Sequence, residues 1–175
     1  MELKNMPKEH FDAFYAALEA GFDRSERRDY RDAHRMLDTP EYSVMEIHTD
    51  AEPVGFITLW SLGDFTFIEH FVIFEQYRNH GYGRDVLDIL KSKFERIVLE
   101  AEPPTEDIRR RRLAFYRRSG FFENNKPYLQ PPYRKGGEAV PLIIMSYPEV
   151  LSDFDRAVAK IYRTVYGLDS ITAPV

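Results

Sequence analysis

Phe71-Val72-Ile73-Phe74-Glu75-Gln76-Tyr77-Arg78-Asn79-His80-Gly81-Tyr82-Gly83-Arg84 is the stretch that decides the fold. The apolar run up to Phe74 reads as the end of a strand and Glu75 to His80 as a loop. Gly81 and Gly83 open a helix whose apolar face is Val86, Leu87, Leu90 and Phe94. Glycine lets the backbone turn with positive φ and lets a ligand come close. The first turn of a helix offers unpaired N–H groups and a partial charge of about +0.5. Together these make a cradle for phosphate or pyrophosphate, although Gly-x-Gly alone equally describes a plain structural turn. Two rival motifs fail on detail. No Gly-Lys-Ser/Thr follows, which excludes a P-loop. No third glycine completes Gly-x-Gly-x-x-Gly, which excludes the dinucleotide fingerprint.

Working outward, three strands lead up to this point: Tyr42 to His48, Val54 to Leu62 and Phe65 to Phe74. Asp50-Ala51-Glu52-Pro53 turns between the first two. Gly63-Asp64 makes a tight hairpin between the second and third, so the sheet begins as an antiparallel meander. Before it, residues 7 to 22 carry Phe11, Phe14, Tyr15, Leu18 and Phe22 at helical spacing, and a second helix runs from Ser25 to about Leu37. After the helix that begins at Gly83, Ile97 to Glu100 forms a short strand. Coming after a helix, it lies parallel to the third strand. Thr105 caps a helix that Gly120 stops. Strands follow near Tyr128 and at Val140 to Ser146. Pro148 to Tyr166 is a last helix with Leu151, Phe154, Val158, Ile161 and Val165 inward, closed by Gly167. The expected fold is mixed α/β: a mostly antiparallel sheet with one parallel, helix-crossed pair, flanked by helices.

The chain has 175 residues, enough for a single domain with its own core. With no cysteine there is no disulfide, no Cys-bound metal and no cysteine nucleophile. No metal-ligand spacing stands out and none is assigned. The net charge of −5 argues against nucleic acid as a partner. Residues 104 to 135 run against that balance, with nine Lys/Arg to three Asp/Glu. A basic patch on an acidic protein suits a small anion, or is a solvated helix face. No apolar run is long enough to span a membrane, and Met1-Glu2-Leu3-Lys4 lacks a signal-peptide core, so the expected location is cytoplasmic.

A second motif lies about 35 residues beyond the first. It is Phe115-Tyr116-Arg117-Arg118-Ser119-Gly120-Phe121, at the end of a helix. With Arg78-Asn79-His80-Gly81-Tyr82-Gly83, read as Arg/Gln-x-x-Gly-x-Gly/Ala, the chain resembles the GNAT superfamily of acyl-CoA-dependent N-acyltransferases. The element order agrees over residues 1–147, and the helix at 148–167 is an addition. The resemblance implies acetyl-CoA as co-substrate, with its pyrophosphate on the backbone of Arg78, Asn79, His80, Gly81, Tyr82, Gly83 and Arg84. It implies a pantetheine arm paired with Phe71, Val72 and Ile73, in a sheet that opens beside that strand. The acyl group would pass directly to an amine, and the absence of cysteine is consistent with that.

A primary amine, with an ordinary pKa near ~10.4, must lose a proton, and a thiol near ~8.5 leaves best when it gains one. Tyr116 matches the family's usual acid. Glu69 is the expected base, either directly or through water. By a strand's period of two it shares a face with Phe67, Phe71 and Ile73, where partial desolvation would raise its pKa. His70 then points to the opposite face as a packed residue, and His80 is expected to contact the cofactor. The sequence departs from the family at Arg109, where an asparagine is common. Arg109 to Arg112 could meet a CoA phosphate or simply face solvent.

Tyr128, Tyr133 and Trp60 are candidate walls of an acceptor site, with packing the expected role for Trp60. The partner is a small-molecule or peptide amine. Two alternatives are a non-catalytic acyl-CoA sensor and a homodimer that uses the last helix as its interface.

Overall fold

The computed structural model describes residues 1–50 and 52–168. Eight strands form one sheet: β1 (Glu2–Asn5), β2 (Tyr42–His48), β3 (Pro53–Ser61), β4 (Thr66–Ile73), β5 (Ile97–Ala101), β6 (Phe122–Glu123), β7 (Tyr128–Gln130) and β8 (Val140–Tyr147). The order is β1-β2-β3-β4-β5-β8-β6, with β7 also paired to β8. All pairings are antiparallel except β4 with β5. The helices are α1 (Phe11–Gly21), α2 (Tyr30–Met36), α3 (Tyr82–Lys93), α4 (Asp107–Arg118) and α5 (Phe154–Val165). The expected mixed sheet with one parallel pair is therefore found.

Nothing in the sequence pattern marks β1. Three of its four residues are exposed, so its place depends on backbone pairing with β2, and no apolar alternation marks it. The second helix is shorter than expected. Arg24–Glu26 is a separate 3-10 turn, and Asp29 caps α2 by accepting from the Asp32 amide at 3.0 Å.

Two apolar layers sandwich the sheet. Phe11, Phe14 and Leu18 of α1 pack on one face with Trp60, Phe67 and Val98, together with Phe154, Ala157, Ile161 and Val165 of α5. The last helix thus spends its apolar stripe on its own sheet. On the other face Val86, Leu87 and Leu90 of α3 and Leu113 and Tyr116 of α4 meet Ile57, Ile68 and Leu99.

Two irregularities in β4 shape the centre. Its parallel ladder with β5 covers only Thr66, Phe67 and Ile68 against Ile97, Val98 and Leu99, after which the strands part. At the same level, Thr58 pairs with His70 but Leu59 with Ile68, which leaves Glu69 as the extra residue of a β-bulge. The bulge overturns the expected alternation. Phe67 lies in the α1/α5 layer, whereas Phe71 and Ile73 lie in the α3/α4 layer. Glu69 and His70 both reach partners on the α1/α5 side.

Candidate active site

The cradle begins at the C-terminal end of β4. Asn79 (φ 66°) and Gly81 (φ 87°) both take left-handed conformations, and Gly81 is the N-cap of α3. A Cβ on Gly81 would meet nothing within 4 Å, so the space beside it is open. The backbone N–H groups of residues 79 to 83 donate to none of the described residues. Five unpaired donors at the positive end of a twelve-residue helix suit an anion. Arg78 folds back to donate from Nε to the Ile73 carbonyl at 3.1 Å. His80 Nδ1 lies 2.8 Å from the Arg78 carbonyl and the ring stacks on Tyr82 at 5.6 Å. Arg84 lies 3.9 Å from Asp88.

Gly83 has a different task. Its missing side chain lets α3 sit against the Phe115 ring, 3.3 Å from where a Cβ would be. The two sequence motifs therefore touch. Beyond Ile68, the side of β4 toward β5 carries no partner strand, so residues 71 to 73 offer an edge to an extended ligand, with the Ile73 carbonyl held by Arg78. A groove of about 410 Å³ opens beside that end, between Ala17, Ala20 and Gly21 of α1 and Val72, Phe74 and Arg78. These features fit the pyrophosphate and pantetheine of acetyl-CoA.

Glu69 and Glu100 are the next residues on β4 and β5 after the ladder ends, so they stand at the vertex of the opening. The Glu69 side chain is fully buried although the residue is partly exposed, so its exposure lies on the backbone of the bulge. Its carboxylate takes hydrogen bonds from Arg28 Nη1, from Trp60 Nε1 at 2.8 Å and from the Tyr133 hydroxyl at 3.0 Å. Arg28 also lies over the rings of Tyr133 (4.8 Å) and Trp60 (5.7 Å). Burial pushes the Glu69 carboxyl up, but the charge of Arg28 and the bonds from Trp60 and Arg28 outweigh it. The group lies below the usual carboxylate range. That reverses the expected raised pKa. Desolvation is present, but the sequence does not reveal that a guanidinium 41 residues away opposes it.

His70 also departs from its expected face. Its backbone N–H donates to Thr58 Oγ1 at 2.9 Å and Nε2 donates to the Glu26 carbonyl at 3.0 Å. The ring packs edge-on to Phe22 and stacks on Tyr133. Burial holds the imidazole below its usual range, so it is a neutral, packed residue that ties β4 to the α1–α2 connection.

Glu100 escaped the sequence reading. The available signal was a charge inside the otherwise apolar strand Ile97–Ala101. Tyr128 donates to one carboxylate oxygen and Gln130 Nε2 to the other at 2.9 Å, while the Tyr166 hydroxyl lies 3.1 and 2.9 Å from the two. Burial raises this carboxyl most. The bonds from Tyr128 and Tyr166 oppose the rise and the Glu69 charge adds to it, which leaves a pKa of about 7. Arg28, Tyr166 and Gln130 carried no local signal either, because their roles arise from distant contacts. Tyr128 and Tyr133 do line this region, and Trp60 combines packing with its bond to Glu69.

Tyr116 lies across the sheet, on α4. It is 8% exposed and its hydroxyl hydrogen-bonds to none of the described residues. Burial raises its pKa above 10, with Arg112 opposing and Glu102 adding, so the phenol keeps its proton at neutral pH. Of the arginine run, Arg109 binds Glu102 at 2.8 Å, Arg112 also pairs with Glu102, and Arg110 pairs with Asp107.

The family model described as "Acetyltransferase (GNAT) family" matches residues 5–121. A putative GNAT acetyltransferase from Bacteroides thetaiotaomicron is 30% identical, with a TM-score of 0.90 over 96% of this chain and 99% of that one. A ribosomal-protein-alanine N-acetyltransferase from Brucella melitensis shares the fold at 16% identity and a TM-score of 0.61, over 86% of this chain and all of that one. An aminoglycoside 6'-N-acetyltransferase solved with coenzyme A does so at 15% identity and a TM-score of 0.61, over 83% and 96%. No curated protein matches the sequence at a significant level. A family match over two-thirds of the chain, on a sheet that parts beside an anion cradle, places this protein in the GNAT family of acetyltransferases.

Proposed function

We propose that the protein moves an acetyl group from acetyl-CoA directly to an amine, with Glu100 taking the proton of the acceptor and Tyr116 supplying one to the departing sulfur. The carrying observation is the vertex. β4 and β5 part at two carboxylates, and the unpaired β4 edge leads from them to the cradle at Gly81. Bound acetyl-CoA supplies the thioester acyl group. The N–H groups of residues 79 to 83 hold its pyrophosphate and the β4 edge at 71 to 73 aligns its arm.

The two carboxylates divide the work. Glu69 is ionised and paired with the buried Arg28 guanidinium, so it has little proton affinity to offer. It fixes Arg28 and the Tyr133 loop around the vertex. Glu100, with a pKa of about 7, is half ionised near neutral pH, where a general base works best. Tyr116 stays protonated until a thiolate forms beside it. The expected base thus moves from Glu69 to Glu100 in this reading, and the expected acid stays at Tyr116.

The acceptor is a small-molecule or peptide amine, drawn as a cation to a protein of net charge −5. The test is calorimetric titration with acetyl-CoA together with a free-thiol assay on spermidine, kanamycin, lysine and an alanyl peptide. The absence of cysteine keeps the thiol background clean. Binding with amine-dependent thiol release supports the enzyme, and Tyr116→Phe then lowers turnover by roughly 10²-fold or more. Binding without release from any amine supports an acyl-CoA sensor, and no binding overturns both.

A further inference from the structure

The last turn of α5 ends at the two carboxylates. Tyr166, which follows the helix as its C-cap, sets its hydroxyl 3.1 and 2.9 Å from the Glu100 oxygens and accepts from Gln130 Nε2 at 3.0 Å. One residue earlier, the Val165 carbonyl accepts from Arg28 Nη2 at 2.6 Å. Glu100 is therefore tied to α5 directly, and Glu69 is tied to it through Arg28. The Tyr166 ring also packs on Tyr133 at 5.3 Å, and Tyr133 donates to Glu69. This helix lies beyond the residues that match the family model.

We propose that α5 is part of the active site and that Tyr166 is a positioning residue, whose hydroxyl holds the Glu100 carboxylate in place at the vertex between β4 and β5. The proposal rests on Glu100 as the proton acceptor. A carboxylate on a strand has free χ angles, and an unheld one would spend part of its time turned from the substrate. Three donors from β7 and α5 remove that freedom. The Tyr166 phenol is also pushed well above 10, so it remains a donor throughout the working range. A neutral donor favours the ionised carboxylate. The groups that set the proton affinity of Glu100 are Glu69 from β4, Tyr128 and Gln130 from β7 and Tyr166 from α5.

The experiment follows the Glu100 carboxyl in ¹³C-glutamate-labelled full-length protein across pH 5–9, assigned by Glu100→Gln. It is paired with the pH profile of kcat/KM for acetyl transfer to whichever panel amine releases most thiol. In Tyr166→Phe the carboxyl midpoint and the acid limb of the profile should both rise by about half a unit or more. Tyr162→Phe is the control, because its hydroxyl goes to the Leu129 carbonyl at 2.7 Å on the same helix. It should move neither. An unmoved midpoint in Tyr166→Phe, or an equal movement in Tyr162→Phe, overturns the proposal. If Tyr166→Phe does not fold, 3-fluorotyrosine placed at 166 keeps the ring and strengthens the donor. The midpoint should then fall, and an unchanged midpoint overturns the proposal. Failure of the underlying reading looks different: Glu100→Gln would keep the wild-type limb and turnover.

Discussion

Arg28→Met tests the charge balance of the site most sharply. The Arg28 residue is 9% exposed and the Glu69 side chain is fully buried. Methionine keeps much of the stem volume and removes the charge, leaving a buried carboxylate with only Trp60 and Tyr133 as donors. Breaking one side of such a pair costs about 3–5 kcal/mol. At about 2–4 °C per kcal/mol for a chain of this size, the melting temperature should fall by roughly 6–20 °C. Thermal and urea unfolding would measure it, with Arg28→Met/Glu69→Gln as the second arm. With both charges gone the penalty disappears, and the double variant should recover at least half of the loss.

The pH dependence gives a further check on sign. In the wild type the Glu69 carboxyl is lowered, so its stabilising contribution is present above the usual carboxylate pKa. That contribution is lost as pH falls through the lower folded value. In Arg28→Met burial acts with less opposition, the carboxyl rises, and the variant should lose more stability at pH 8 than at pH 5. The reasoning is refuted if Arg28→Met lies within 1 kcal/mol of wild type, or if the double variant is no more stable than the single one.

Gly81→Ala imposes a left-handed conformation on an L-residue at a cost of about 1 kcal/mol. Calorimetry should show weaker acetyl-CoA binding, and the melting temperature should fall by only about 2–4 °C. Glu100→Gln should flatten the pH dependence of stability. The folded carboxyl, at about 7, binds its proton more tightly than the unfolded one, so wild-type stability declines from the usual carboxylate range up to about pH 7. Above that pH the penalty is about 3 kcal/mol, and urea unfolding at pH 8 should show the variant relieved of part of it. Ending the chain after Tyr147 removes Phe154, Ala157, Ile161 and Val165 from one core layer. Circular dichroism and sedimentation should find a poorly folded, aggregating chain, and a stable folded monomer would contradict the packing described.

Much of the fold was legible because local chemistry specifies it. The meander follows from apolar runs broken by Gly63-Asp64, and α3 from the step between strand periodicity and a 3.6-residue repeat at Gly81. The parallel β5 follows from the helix that precedes it. The run of unpaired N–H groups at the start of α3 was legible for the same reason, since they are backbone groups of consecutive residues. β1 was not, because its exposed side chains leave only backbone pairing to place it.

The carboxylates belong to another category. A period of two placed Glu69 opposite His70, but one extra residue in β4 put both on the same side. Desolvation alone argued for a raised Glu69, but Arg28 reverses the sign. It comes from a charged stretch in which nothing distinguishes it from Arg24, Arg27 or Arg31. Glu100 showed only as a charge in an apolar strand, and Tyr166 only as the end of a helix. Sequence patterning specifies which residues enter the core and in what order the elements run, because those depend on neighbours along the chain. The protonation of a buried acid depends on charges and donors within a few ångströms in space, and here all but Trp60 come from segments 28 to 66 residues away.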